Sequence, residues 1–115
     1  MSSPRSAARL AETAPLFAAL GDATRLSLVA RLSREGPQSI ARLTAGGEVT
    51  RQAITKHLIA LEEAGLVSSD RSGRERIWEL RTRRLTEIRR CLDQISDQWD
   101  AAIGRLRDLV ENGDS

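Results

Sequence analysis

Thr50-Arg51-Gln52-Ala53-Ile54-Thr55-Lys56-His57-Leu58-Ile59-Ala60-Leu61-Glu62-Glu63-Ala64-Gly65 is the stretch on which the fold turns. Thr50 is a good helix N-cap, because its hydroxyl can accept from an early backbone N–H. Gly65 is a stop signal, so a helix is predicted over about 50–63. Its two faces differ. Ile54, Leu58 and Leu61, with Ala53, form an apolar stripe at helical spacing. Arg51, Gln52, Thr55 and Lys56 fall on the opposite side, mostly near the N-terminal end. Upstream, Ser39 to Ala45 predict a short helix over 39–45 that buries Ile40 and Leu43, and Gly46-Gly47 forms the turn. A short supporting helix, a tight turn and a two-faced second helix make a helix-turn-helix over 39–64.

The polar face of the second helix has the residue types that read base edges. Gln pairs bidentately with adenine, Arg or Lys pairs with guanine, and Thr bonds a base or presents a methyl to thymine. The N-terminal part of such a helix is what reaches the major groove. By spacing alone, an ordinary amphipathic helix with a solvated face fits as well. The segment after Gly65 favours the groove. Leu66–Asp70 and Arg74–Leu80 read as two strands joined at Arg71-Ser72-Gly73, a wing over 66–80. Its tip carries Arg71 and Arg74, with Arg76 on the strand; Arg on a loop tip suits phosphate or a narrow minor groove. The bland alternative is a solvated hairpin.

Outward from this centre, a first helix is expected over 5–19, with Leu10, Ala14, Phe17 and Leu20 at helical spacing and Pro15 breaking or kinking it. Gly21-Asp22 stops one helix and caps the next, expected over 23–33 and burying Leu26, Val29 or Ala30, and Leu32. Gly36-Pro37 ends it, and 37–39 can add a short strand to the later hairpin. The last helix, 83–111, repeats apolar residues in steps of three and four from Leu85 to Val110, a seam longer than a small core needs. The expected fold class is mainly α (α+β). It is a single winged helix-turn-helix domain over 1–115, in the order helix, helix, short strand, helix, helix, two strands, long helix.

Composition sets the bounds. The chain has 115 residues, 40% apolar and 30% charged, one domain of ordinary size with a thin core that dimerisation would help to bury. No apolar run reaches membrane-spanning length. The single cysteine, Cys91, excludes an intrachain disulfide and suits a reducing cytoplasm. Net charge is only +2, but it is uneven: residues 71–90 hold eight Arg against three Glu, and residues 91–115 hold two Arg against six acids. The basic segment suits a polyanion. With seventeen Arg against one Lys overall, base composition of the source genome explains it equally well.

Three stretches together resemble one family. Leu16-Phe17-Ala18-Ala19-Leu20-Gly21-Asp22-Ala23-Thr24-Arg25-Leu26 is similar to the junction of the first two helices in the ArsR/SmtB family. The stretch from Thr50 to Val67 resembles that family's recognition helix and exit, and Gly73-Arg74-Glu75-Arg76 resembles its wing. The match runs in order over about residues 10–110. It implies a winged-helix homodimer built through the first and last helices, which represses by occupying an operator in double-stranded DNA. DNA contacts would then fall on the cap residue Thr50 and on Arg51, Gln52, Thr55 and Lys56, with Arg71, Arg74 and Arg76 on the wing. Leu10, Phe17, Leu92, Ile95, Trp99, Ile103 and Leu106 would form the dimer interface. The expected location is cytoplasmic, at the nucleoid.

The family's effector sites are missing. One metal site uses a Cys-x-Cys pair at positions that are here Ser39 and Ala41, and another uses His and carboxylates on the last helix, where no His occurs. One His and one Cys are too few for a transition metal, so no metal and no cofactor is expected. Asp93, Asp97 and Asp100 share a helix face that reads as solvated rather than as a hard-cation site. A redox role for Cys91 lacks the second cysteine that the redox-sensing branch uses. His57 is read as structural, with a phosphate contact as the alternative. Control is left to the protein's own abundance, a protein partner or a small organic ligand, for which Trp99 could line a site. Against the regulator stands a different class, a protein–protein interaction module on the same fold. The polar, basic face of the second helix argues against it, since such modules expose apolar anchors. An enzyme is not expected: the only His and the only Cys lie far apart in sequence, and no Gly-rich phosphate loop or carboxylate pair in an obvious cleft appears.

Overall fold

The computed structural model describes residues 4–113; the remaining ends of the expected domain, 1–3 and 114–115, lie outside the described residues. The elements are α1 (Pro4–Leu20), α2 (Ala23–Glu35), β1 (Gln38–Ser39), α3 (Ile40–Thr44), α4 (Arg51–Glu63), β2 (Val67–Ser72), β3 (Glu75–Leu80) and α5 (Thr82–Asn112). This is the expected order. The three strands form one antiparallel sheet in the order β1-β3-β2, with Gln38 opposite Trp78 and Val67 opposite Leu80.

Local chemistry sets most of the boundaries. Asp22, Ser39 and Thr50 each accept a backbone N–H three residues on, from Arg25, Arg42 and Ala53, and so satisfy an orphan donor of α2, α3 and α4. Helix α4 ends in a Schellman arrangement, with Leu66 N–H on the Leu61 carbonyl and Gly65 N–H on Glu62. Gly65 takes φ +79° there, a backbone conformation that calls for glycine.

One cluster makes the core. Leu16 of α1, Leu28, Val29 and Leu32 of α2, Ile40 and Leu43 of α3, and Ile54, Leu58 and Leu61 of α4 meet Leu66, Val67 and Trp78 of the sheet and Ile88 of α5. Leu58 and Leu61 are fully buried, each contributing about 1.5–3 kcal/mol by removal from water. Beyond Ile88, α5 leaves this cluster, and its apolar residues from Leu92 to Val110 stay exposed, Trp99 by 65%. No described helix is long and apolar enough to cross a membrane.

Three expectations need correction. Helix α1 runs unbroken through Pro15. A proline removes one i→i−4 bond, here to the Ala11 carbonyl, and the next residue, Leu16, anchors that turn in the core. Leu26 is not buried but 53% exposed, and Ala30 is exposed too. The inward face of α2 is set by Leu28, Val29 and Leu32, about a third of a turn away from Leu26. The hairpin turns at Gly73-Arg74, with Ser72 opposite Glu75 and Arg71 opposite Arg76 inside the ladder. Gly73 has φ +64° and Arg74 does not have positive φ, the pattern of a two-residue type II′ turn.

Candidate nucleic-acid interface

The first turn of α4 presents the polar residues singled out in the sequence. Arg51, Gln52 and Lys56 are exposed and Thr55 is half-buried, while Ile54, Leu58 and Leu61 hold the opposite face in the core. No acidic residue occurs in that turn, so Arg51 adds to the positive end of the helix dipole. The Thr55 hydroxyl donates to the Arg51 carbonyl at 2.8 Å. That commits its one proton and leaves its acceptor lone pairs and its methyl as what the side chain has for a partner.

Two arginines brace the elements around this helix and were not singled out from the sequence. Arg31 of α2 donates from Nη1 to the Leu43 carbonyl at 3.3 Å and from Nη2 to the Arg42 carbonyl at 2.9 Å, with Nε on Glu35 at 2.8 Å. It thereby satisfies the orphan carbonyls at the end of α3 and ties the supporting helix to α2. Arg25 Nε donates to the Ala19 carbonyl at 2.6 Å and fixes the α1–α2 corner. The only sequence signal for either was position: each lies on a helix facing a predicted helix end.

The wing follows from the register. Val67, Ser69 and Arg71 share one sheet face with Leu80, Trp78 and Arg76. That face is buried at its base and exposed at the tip. Arg71 and Arg76 sit directly opposite each other, a like-charge pair that costs stability unless an anion lies between. Arg71 and Arg74 make no ion pair among the described residues. Arg76 is engaged: its Nη1 donates to Ser69 Oγ, which donates to Glu62 Oε2, both at 3.1 Å. This chain links the wing to the end of α4.

The remaining candidates lie farther from the first turn of α4. His57 Nδ1 is 3.8 Å from Asp22 Oδ1, beside the α2 cap. The Arg25 backbone N–H that Asp22 accepts holds its carboxyl below the usual range. Cys91 is half-buried on α5. Of the expected interface residues, Leu10, Leu92, Ile95, Trp99, Ile103 and Leu106 are exposed, whereas Phe17 packs against the core of its own chain. Among the described residues, no three His, Cys, Asp or Glu side chains gather where a metal could bind.

Comparison with known proteins gives this geometry its context. A family described as a helix-turn-helix domain matches residues 20–70. The uncharacterized HTH-type transcriptional regulator YuzN of Bacillus subtilis is 43% identical over 68 residues, covering 54% of this chain and 74% of that one. An HTH-type transcriptional regulator of Mycobacterium tuberculosis, Rv2034, is 32% identical over 94 residues, covering 82% and 84%. The solved structure of an ArsR-like transcriptional regulator from Rhodococcus sp. RHA1 superposes with a TM-score of 0.72 at 38% identity, covering 86% of this chain and 92% of that one. The chain belongs to the ArsR/SmtB family of DNA-binding winged helix-turn-helix transcriptional regulators.

Proposed function

We propose that the protein is a homodimeric repressor that occupies an inverted-repeat operator and does not respond to metal. The carrying observation is the two-faced α4. The same helix locks Ile54, Leu58 and Leu61 into the core and holds Arg51, Gln52, Thr55 and Lys56 outward at its N-terminal end. In this reading Gln52 and Lys56 reach base edges, and Thr50 and Arg51 lie nearest the backbone. Arg71 and Arg74 take phosphates or the minor groove beside the site. Arg76, held by Ser69, adds charge while setting the angle of the wing. Metal independence rests on Ser39 and Ala41 standing where ligands would be needed. The exposed seam of α5, with Leu10 of α1, supplies the dimer contact, and the twofold axis sets half-sites about one helical turn apart.

The double variant Gln52→Ala/Lys56→Ala tests this. Both side chains are exposed, so the fold and the dimer persist. The preference for operator over scrambled duplex, about a thousandfold or more for specific binders, falls to near unity in fluorescence anisotropy. Retained preference moves the reading surface elsewhere; loss of the dimer makes these residues structural.

A further inference from the structure

The reading face of α4 holds one side chain that the polar readers leave unexplained. Ile59 is 43% exposed although it is a large apolar residue. It follows Gln52, Thr55 and Lys56 at seven, four and three residues, so all four share one stripe of the helix. Next to it on that stripe is Thr55, whose hydroxyl proton is spent on the Arg51 carbonyl. Thr55 is half-buried, and beyond that bond its side chain has a methyl and acceptor lone pairs to offer.

We propose that Ile59, together with the Thr55 methyl, forms an apolar patch that takes the C5-methyl of a thymine in the major groove, making Ile59 a specificity-determining residue. The inference rests on α4 entering that groove. Seven residues of helix span about 10.5 Å, or about three base-pair steps of roughly 3.4 Å. Gln52 and Ile59 therefore address different base pairs of one half-site, one through hydrogen bonds and one through a methyl. Ile59 has no polar atom with which to accept the cytosine amino group, and thymine alone offers a methyl at that edge. Removing one methyl from water is worth about fourfold in affinity.

The test uses the full-length protein and an operator selected from a random duplex library, with each thymine of a half-site replaced in turn by deoxyuridine. That change deletes the methyl and keeps the pairing. At one thymine the replacement weakens wild-type binding about fourfold. Ile59→Ala binds the parent operator several-fold more weakly and is insensitive to the same replacement, whereas Ile59→Val keeps the sensitivity. Ile59→Ala folds, since the site is exposed and alanine favours helix. If no replacement weakens the wild type, or if every replacement costs wild type and Ile59→Ala the same, the inference is overturned while operator recognition stands. If selection enriches no sequence, the reading of α4 as a base reader fails, and this inference with it.

Discussion

Leu58→Ala lowers the unfolding free energy by about 3–5 kcal/mol. Leu58 is fully buried and lies at the centre of the one cluster in which α2, α3, α4, the sheet and α5 meet. Truncation there removes transfer energy and leaves a cavity that rigid neighbours on several sides cannot close. A domain of this size has about 5–15 kcal/mol in total, so the loss takes about a fifth or more of it. The melting temperature falls by more than about 10 °C. On the other face of the same helix, Lys56→Ala stays within about 0.5 kcal/mol. Urea unfolding at a fixed protein concentration measures both, the fixed concentration being needed because assembly adds to apparent stability. A Leu58→Ala loss under about 1 kcal/mol, well below the range for a buried leucine, would mean that α4 is not held by the core.

In the proposed homodimer, Ile95→Asp/Trp99→Asp is expected to leave a monomer and to weaken operator binding by about a hundredfold or more. Among the described residues, only Leu85 and Ile88 of α5 pack on the core, and Ile95 and Trp99 are exposed, so the pair belongs to the proposed seam rather than to the fold of one chain. Helix α5 has 31 residues, or about 46 Å, and it leaves a row of large apolar residues exposed from Leu92 to Val110, the kind of feature that marks an interaction site. Two buried carboxylates without partners are strongly unfavourable at such an interface. Each half-site is then bound singly, without the second site's effective concentration. Light scattering after gel filtration reads the mass, and circular dichroism confirms that the helices persist. A variant that stays dimeric places the interface off this seam. A monomer with undiminished affinity removes the need for two half-sites.

The elements carried by strong local signals were legible in advance. Thr50 before an apolar stripe and Gly65 after it located α4 within a residue, and Ser39 did the same for α3. The wing was visible as alternation around Gly73, but its turn was displaced, because a two-residue turn needs glycine first and thereby draws Arg71 and Ser72 into the strand. Pro15 and Leu26 misled for one reason. Local propensity and spacing describe a helix in isolation, whereas the rotation of α1 and α2 is chosen by what they meet, and Leu16, Leu28, Val29 and Leu32 meet the core. For the candidate site, side-chain type and helical phase sufficed to collect Arg51, Gln52, Thr55 and Lys56. They could not show that Arg31 holds the end of α3, that Arg76 is tied to Glu62 through Ser69, or that Phe17 is occupied within its own chain. Each of these depends on contacts between residues that no helical or strand period relates.

The central claim, that the exposed N-terminal face of α4 reads DNA sequence, is tested most directly by anisotropy titration of the wild-type protein. The probes are the DNA upstream of its own gene and a scrambled duplex of equal length, at two salt concentrations. A preference of about a thousandfold for the upstream DNA, kept at both salts while both affinities fall as salt rises, is the expected result. Equal affinity for the two probes, lost steeply with salt, would reduce the protein to a basic surface without sequence readout at that site and contradict the claim.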